Sequence, residues 1–197
     1  MKKLFKVLIL FAVALTLFAC NKKNNPTTDN TNKVEEKEKT TASAIELDKM
    51  PIENFEFHTI DIVNGNTVKS EDFYKEKPLT LVNVWGTFCG PCKEEMPDLA
   101  KLYDEYKDKV NFLGVVVDTN ASMDTNVQEA QQILKNAGTN YTNIMPNSTT
   151  EDTLVNITAM PTTFFVNSEG KVLGGFVGQA DKDSLAATLD KLIEENK

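Results

Sequence analysis

Hydrophobic and polar positions divide the chain into three parts, of which the first is a short apolar run. Residues 7–19 contain a single polar side chain, Thr16, and follow a cluster of lysines. A membrane span needs about 17–25 apolar residues, so this run is too short to cross a bilayer. Its length and its basic flank are typical of an export signal, and they predict a signal peptide over residues 1–19.

The second part, residues 20–48, is rich in Asn, Thr, Lys and Glu and contains no aromatic residue. Such a segment buries too little apolar surface to offset the entropy that ordering would cost. We therefore expect a disordered tether there. The remaining residues, 49–197, contain no internal repeat and have the length of a single domain.

In this third part the apolar spacing alternates between strand-like and helical periods, which predicts alternating strands and helices. Strands are expected on both sides of Asn64-Gly65, a strong hairpin signal. Further strands are predicted at residues 79–85, 110–117, 162–167 and 171–177. Helices are predicted at residues 89–107, around 127–134, briefly up to 155, and around 185–193. This order predicts an α/β fold with a mixed sheet.

The composition, with 41% hydrophobic and 25% charged residues, is that of a globular protein. The formal net charge is −8, and every basic residue apart from the single histidine is a lysine, because the sequence contains no arginine. An acidic chain without arginine disfavours nucleic-acid binding, so we expect no nucleic-acid partner. Nothing in the composition indicates an oligomer, and we expect a monomer.

The candidate chemistry lies in Cys89 and Cys92, which enclose Gly90 and Pro91 where the predicted central strand gives way to a helix. The N–H groups and partial positive charge of a helix N-terminus stabilise a thiolate. Such motifs lower a thiol pKa from about 8.5 to roughly 3.5–7.5. The pattern predicts disulfide exchange, in which Cys89 attacks and Cys92 resolves the mixed disulfide.

Two other roles for this cysteine pair fit the sequence less well. A structural disulfide across so short a loop constrains the unfolded chain little. A structural zinc site needs about four Cys or His ligands, whereas residues 49–197 contain only His58 besides this pair. We expect no metal, and no cofactor other than the redox-active Cys89–Cys92 disulfide.

Residues 85–92, followed by Pro97, resemble the active site of the thioredoxin family. Residues 159–164 are similar to the cis-proline loop of that fold, and residues 167–177 resemble its terminal hairpin. The resemblance implies a thioredoxin-like fold, with a mixed central β-sheet flanked by helices and an N-terminal β-hairpin. It also implies an insertion within residues 118–148, before the cis-proline loop.

Leu17-Phe18-Ala19-Cys20 resembles the lipobox of bacterial lipoproteins, in which the cysteine is acylated and becomes the first residue. Together with the hairpin, the insertion and Glu95-Met96-Pro97, it resembles the extracytoplasmic TlpA/ResA-like thiol-disulfide oxidoreductases. This resemblance implies lipidation at Cys20. It places the domain at the extracytoplasmic face of the bacterial cell membrane, held by a lipid anchor, or in a periplasm.

Where thioredoxin has a buried acid in its central strand, this sequence has Asn83, which does not exchange protons at neutral pH. The ResA-like resemblance indicates Glu95, one helical turn after Cys92, as the proton-transfer residue. The alternative for Glu95 is a solvated carboxylate like that of Glu94, because charged side chains are mostly exposed.

The same resemblance implies a substrate groove beside the dithiol, with Pro161 in the cis form. Core packing is the alternative role for Trp85 and Phe88, and the Met160 backbone is expected to pair with an extended substrate. The candidate groove residues are Trp85, Phe88, Gly90, Pro91, Met160 and Pro161.

The implied activity is reduction of disulfides in exported partner proteins. The resemblance suggests apocytochrome c or an exported methionine sulfoxide reductase as acceptor, and a CcdA/DsbD-like membrane protein as electron donor. The alternatives are a thiol peroxidase and a copper-delivery or holdase lipoprotein. Peroxiredoxins lack this Cys-Gly-Pro-Cys pattern, and Sco-like copper carriers use a longer cysteine spacing with a later histidine.

Overall fold

A computed structural model describes residues 42–120 and 124–196 of the chain. The predicted signal peptide over residues 1–19, the predicted lipidation site Cys20 and the predicted tether as far as residue 41 lie outside this part. Among the helices within it, none is long and apolar enough to cross a membrane.

Strands and helices alternate along the described chain, as the apolar spacing predicts. In chain order they are β1 (His58–Ile60), β2 (Thr67–Lys69), α1 (Ser70–Phe73), β3 (Leu79–Trp85), α2 (Gly90–Tyr106), β4 (Val110–Val116), α3 (Asp124–Ala137), β5 (Thr142–Ile144), α4 (Glu151–Leu154), β6 (Thr162–Asn167), β7 (Val172–Val177) and α5 (Lys182–Glu195).

A mixed sheet of five strands, in the order β5-β4-β3-β6-β7, forms the centre of the domain. Strand β3 is parallel to β4 and antiparallel to β6, with Trp85 opposite Val116 and Val84 opposite Thr162. The loops after β3 and β4 and the loop before β6 therefore lie at the same edge of the sheet. The thioredoxin-like fold is confirmed, and so is the N-terminal hairpin, in which β1 pairs antiparallel with β2.

Strand β3 is buried at all seven positions, because both faces of the sheet are covered. Leu79 and Leu81 point to a cluster that includes Leu99 of α2 and Leu189 of α5. Val82 and Val84 point to a second cluster, made with the aromatic residues of the N-terminal segment. Because side chains alternate across a strand, the apolar residues of β3 contribute to two separate cores, one on each face of the sheet.

Helix α2 begins directly after Cys89, which is its N-cap residue. Pro91 is tolerated at the start of the helix, because the N–H groups of the first turn have no partner within the helix. Met96, Leu99 and Leu102 are buried on the face that packs against the sheet. The packing of this face orients the first turn, and with it both cysteines.

The structure differs from the sequence prediction at the domain boundary. The backbone N–H of Ile45 donates to Thr188 Oγ1 over 2.8 Å. Asp48 exchanges two backbone hydrogen bonds with Gly175, of 2.8 and 3.0 Å. The ordered contacts of the domain therefore extend back to residue 45, into the segment that the sequence analysis assigns to the tether. The few apolar residues of this segment pack on the sheet although its composition is mostly polar.

Strand β5 is absent from the sequence prediction. It has only three residues, Thr142–Ile144, and pairs with β4 in parallel register. Its central residue, Asn143, is polar and fully buried. Three residues are too few for the spacing of apolar positions to distinguish a strand from a loop. Residues 118–148, where an insertion is expected, contain α3 and this edge strand.

Candidate active site

Cys89 and Cys92 form a disulfide at the N-terminus of α2, with an S–S distance of 1.98 Å. Cys89 is 7% exposed and Cys92 is 1% exposed. A disulfide of another protein therefore reaches Cys89 before it reaches Cys92.

The start of α2 provides a positive electrostatic environment for these sulfur atoms. The backbone N–H of Cys92 donates to Cys89 Sγ, with a donor to acceptor distance of 3.3 Å. The N-terminal end of the helix dipole adds a partial positive charge at the same place. Both interactions favour a thiolate over a thiol at Cys89 once the disulfide is reduced.

The loop before β6 packs against the apolar cluster that contains the dithiol. The peptide bond between Met160 and Pro161 is cis, as the resemblance to thioredoxin implies. The Met160 side chain contacts the apolar cluster that contains both cysteines. The carbonyl of Pro161 accepts a hydrogen bond of 2.8 Å from the N–H of Gly178, which ties this loop to the end of β7.

Glu95 lies one turn after Cys92 and is buried, with 2% of its surface exposed. Oε1 accepts a hydrogen bond of 2.8 Å from Asn83 Nδ2, and Oε2 accepts one of 3.3 Å from the N–H of Ala180. Burial raises the pKa of Glu95 to about 7, and the two hydrogen bonds oppose this rise. The alternative of a solvated carboxylate is wrong for Glu95, although it describes its exposed neighbour Glu94.

Comparison with known proteins agrees with this geometry. Residues 47–193 match the Redoxin family. The thiol-disulfide oxidoreductase ResA of Bacillus cereus is 30% identical over 135 residues, which cover 66% of this chain and 71% of that protein. The chain belongs to the Redoxin family, among the ResA-like thiol-disulfide oxidoreductases. ResA of Bacillus subtilis is also 30% identical, over 118 residues that cover 58% of this chain and 60% of that protein.

Solved structures show the same fold. The thioredoxin domain of a thiol-disulfide oxidoreductase from Bacteroides vulgatus superposes with a TM-score of 0.59 at 24% identity, covering 73% of this chain and 97% of that one. A secreted disulfide oxidoreductase of Mycobacterium tuberculosis, homologous to Escherichia coli DsbE, has a TM-score of 0.56 at 16% identity. That match covers 68% of this chain and 95% of the other chain.

The expected groove residues of this ResA-like site differ in their exposure. Phe88 is 66% exposed beside Cys89, and Gly90 and Pro91 are exposed as well. Met160 is half-buried, and Pro161 is buried. The surface next to the dithiol is therefore formed by the exposed ring of Phe88, the turn between the cysteines and the edge of the cis-proline loop.

Trp85 is not part of that surface, because it is only 1% exposed. Its indole Nε1 donates to Asn143 Oδ1 over 3.0 Å, and the ring packs in the cluster that contains the cysteines. The prediction that Trp85 lines a groove is therefore wrong. Its alternative role in core packing is the one that the structure shows, since β3 is covered on both faces.

Sequence reasoning missed how the Asn83 side chain is used. Besides Glu95, the amide Nδ2 of Asn83 donates to Thr163 Oγ1 over 3.1 Å, and both of these partners are buried. A polar residue in an otherwise apolar strand is the signal that could have indicated such a network. The amide thus connects β3 with both α2 and β6.

Within residues 42–120 and 124–196, no group of three or more His, Cys, Asp or Glu side chains is arranged to hold a metal ion. The chemistry that this arrangement supports is thiol-disulfide exchange by two cysteines, beside a carboxyl group that titrates near neutral pH.

Proposed function

We propose that this protein reduces disulfide bonds in exported partner proteins at the extracytoplasmic face of the bacterial cell membrane or in a periplasm. The observation that carries the proposal is the Cys89–Cys92 pair at a helix N-terminus, in which Cys89 is the more exposed residue. The predicted signal peptide and the predicted lipidation of Cys20 support export and anchoring.

The reaction begins with the reduced form of the enzyme. The Cys89 thiolate attacks one sulfur of the partner disulfide, forms a mixed disulfide and releases the first partner thiolate. Cys92 then attacks Cys89 Sγ, which releases the second partner thiolate and closes the Cys89–Cys92 disulfide. Two electrons pass from the enzyme to the partner, so a membrane dithiol donor of the CcdA or DsbD type has to return them.

Glu95 is proposed to take the proton from Cys92 before the second attack. It follows Cys92 by one helical turn, and burial holds its pKa at about 7. A general base is most effective when its pKa lies near the working pH. Asn83 does not serve as this base, but it donates a hydrogen bond that stabilises the charged form of Glu95.

An extended segment of the partner is proposed to lie across Phe88 and to pair with the backbone of Met160. The exposed phenyl ring offers an apolar contact, and edge pairing with an extended peptide is a common mode of recognition. The protein acceptors that we propose are apocytochrome c or an exported methionine sulfoxide reductase, both of which present a disulfide to be reduced.

The reduction potential of the purified full chain tests the direction of electron flow. We expect roughly −270 mV, the value of thioredoxin, which has the same Gly-Pro pair between its cysteines. The measurement is equilibration against dithiothreitol or glutathione buffers, with alkylation of the free thiols. A value near −120 mV, like that of DsbA, would instead make the protein a disulfide-forming oxidant.

A further inference from the structure

Asp118, which follows β4, holds the turn that leads into Cys89. Its Oδ1 accepts a hydrogen bond of 3.0 Å from the backbone N–H of Thr87, and its Oδ2 accepts one of 2.5 Å from the Thr87 hydroxyl. Thr87 is 5% exposed and Asp118 is half-buried, so these bonds are partly shielded from solvent. The parallel pairing of β3 with β4 brings the two residues together, because both follow the carboxyl ends of their strands.

The turn formed by residues 86–89 is tight. The N–H of Cys89 donates to the carbonyl of Gly86 over 3.0 Å. A methyl group at Gly86 would lie 2.8 Å from the Phe88 ring and 3.3 Å from Asp118 Oδ1, so the ring and the carboxylate close over this glycine. The turn that precedes Cys89 is therefore packed closely against the Asp118 carboxylate.

Asp118 itself is anchored from the side of the sheet and from α3. The carbonyl of Asp118 accepts a hydrogen bond of 2.7 Å from Asn126 Nδ2. The preceding residue, Val117, donates its N–H to the carbonyl of Trp85 over 2.9 Å, which continues the pairing of β4 with β3. The backbone of Asp118 is thus held by hydrogen bonds, and its carboxylate binds the turn of residues 86–89, which lies outside the strands.

We propose that Asp118 is a positioning residue for the first step of disulfide exchange. By binding the backbone N–H and the hydroxyl of Thr87, it fixes the conformation of residues 86–89. Cys89 Sγ and the Phe88 ring are then both positioned to contact the partner disulfide. The inference rests on the proposed attack by Cys89, and it adds a requirement that the turn be held from β4.

The test compares Asp118→Ala with Asp118→Asn. The side-chain amide that Asp118→Asn introduces retains an oxygen for the Thr87 N–H and has an NH₂ group that donates to the Thr87 hydroxyl, but it carries no charge. We expect Asp118→Ala to lower kcat/KM for reduction of a protein disulfide about tenfold, because both hydrogen bonds from Thr87 lose their acceptor. We expect Asp118→Asn to remain within about threefold of the unchanged protein.

Variants of Thr87 and the pH profile of Cys89 alkylation separate positioning from a charge effect. Thr87→Val, which removes only the hydroxyl bond, should lower kcat/KM less than Asp118→Ala, and the double variant should be no slower than Asp118→Ala alone. Thr87→Ser, which keeps the hydroxyl, should restore the rate. Equal losses in Asp118→Asn and Asp118→Ala, with equal shifts in the pH profile of Cys89 alkylation, would overturn positioning in favour of a charge effect.

The reaction of reduced protein with oxidised glutathione, a small disulfide, keeps this test independent of the natural partner. If the unchanged protein reacts with glutathione disulfide but reduces no exported protein, the proposed function fails and the role of Asp118 is still measured. If Asp118→Ala retains the full rate with both substrates, the positioning role is wrong.

Discussion

The side-chain amide of Asn83 donates a 2.8 Å hydrogen bond to the carboxylate of Glu95, and both residues are buried. The central strand thus contributes a neutral donor, and the following helix contributes the acid. A donor to the charged form lowers the pKa of a carboxyl group, while burial raises it. The balance leaves the pKa of Glu95 at about 7, where the group both accepts and releases protons at neutral pH.

Replacing Glu95 by glutamine should slow disulfide exchange near neutral pH, because the amide cannot accept the proton of Cys92. We expect a loss of about 100-fold, the lower end of what a positioned proton-transfer group contributes. The measurement is the pH dependence of the rate, in which the inflection near pH 7 should disappear. The matched control is Glu94→Gln, on the exposed neighbour. A retained inflection in Glu95→Gln would exclude Glu95 as the proton acceptor.

Replacing Asn83 by leucine should raise the pKa of Glu95 above its value of about 7, because the carboxylate loses its side-chain donor. The inflection in the pH dependence of the exchange rate should therefore move to higher pH. Thr163→Val is the control, since it removes the other partner of the same amide but leaves the contact with Glu95. An identical shift in both variants would indicate a general disturbance of the site.

The stability of the protein should fall as the pH rises from about 4.5 to about 7, because Glu95 has the higher pKa in the folded state. In this range the folded protein binds more protons than the unfolded chain, so a rising pH favours unfolding. The contribution is up to about 3 kcal/mol, from 1.36 kcal/mol per pKa unit.

Urea unfolding of the unchanged protein and of Glu95→Gln at several pH values measures this contribution. Burial also raises the pKa of Asp61, which contributes with the same sign, so only the difference between the two proteins reports on Glu95. A difference that does not change between pH 5 and pH 7 would contradict the raised pKa.

Cys92→Ser should accumulate a mixed disulfide between Cys89 and its partner, because the resolving thiol is absent. Cys89→Ser should form much less, since Cys92 is 1% exposed against 7% for Cys89. Mass spectrometry of the trapped species, after exposure to a protein disulfide, identifies the linked cysteine. A larger yield of mixed disulfide in Cys89→Ser, formed through Cys92, would reverse the assigned order of attack.

Local patterns in the sequence were sufficient for most of the fold. Residues 79–85 and 110–116 are recognisable as buried strands because each is a mostly apolar run rich in β-branched and aromatic residues. The start of α2 is recognisable from Cys-Gly-Pro-Cys and the apolar spacing that follows. These features depend on residues that are close together in the chain, so they can be read without knowledge of the packing.

The short strand β5 shows where such patterns fail. Thr142–Ile144 is a strand because it pairs with β4 and because Asn143 fits beside Gly114. Any side chain at position 114 would occupy the space that Asn143 fills. Neither reason is visible in a segment of three residues. The inclusion of residues 45–48 in the domain likewise depends on contacts with β7 and α5.

The sequence by itself determined the dithiol, its place at a helix N-terminus and the family to which the chain is similar. It left open whether Glu95 is buried or solvated like Glu94, because adjacent helix positions differ only in the face that packing covers. The tertiary structure decided that Glu95 is buried against Asn83 and Ala180, and that Asp118 reaches Thr87, 31 residues away in sequence. Strand order and helix packing bring such distant groups together. The resulting contacts determine which hydrogen bonds these groups form, and burial together with those bonds sets the pKa of Glu95.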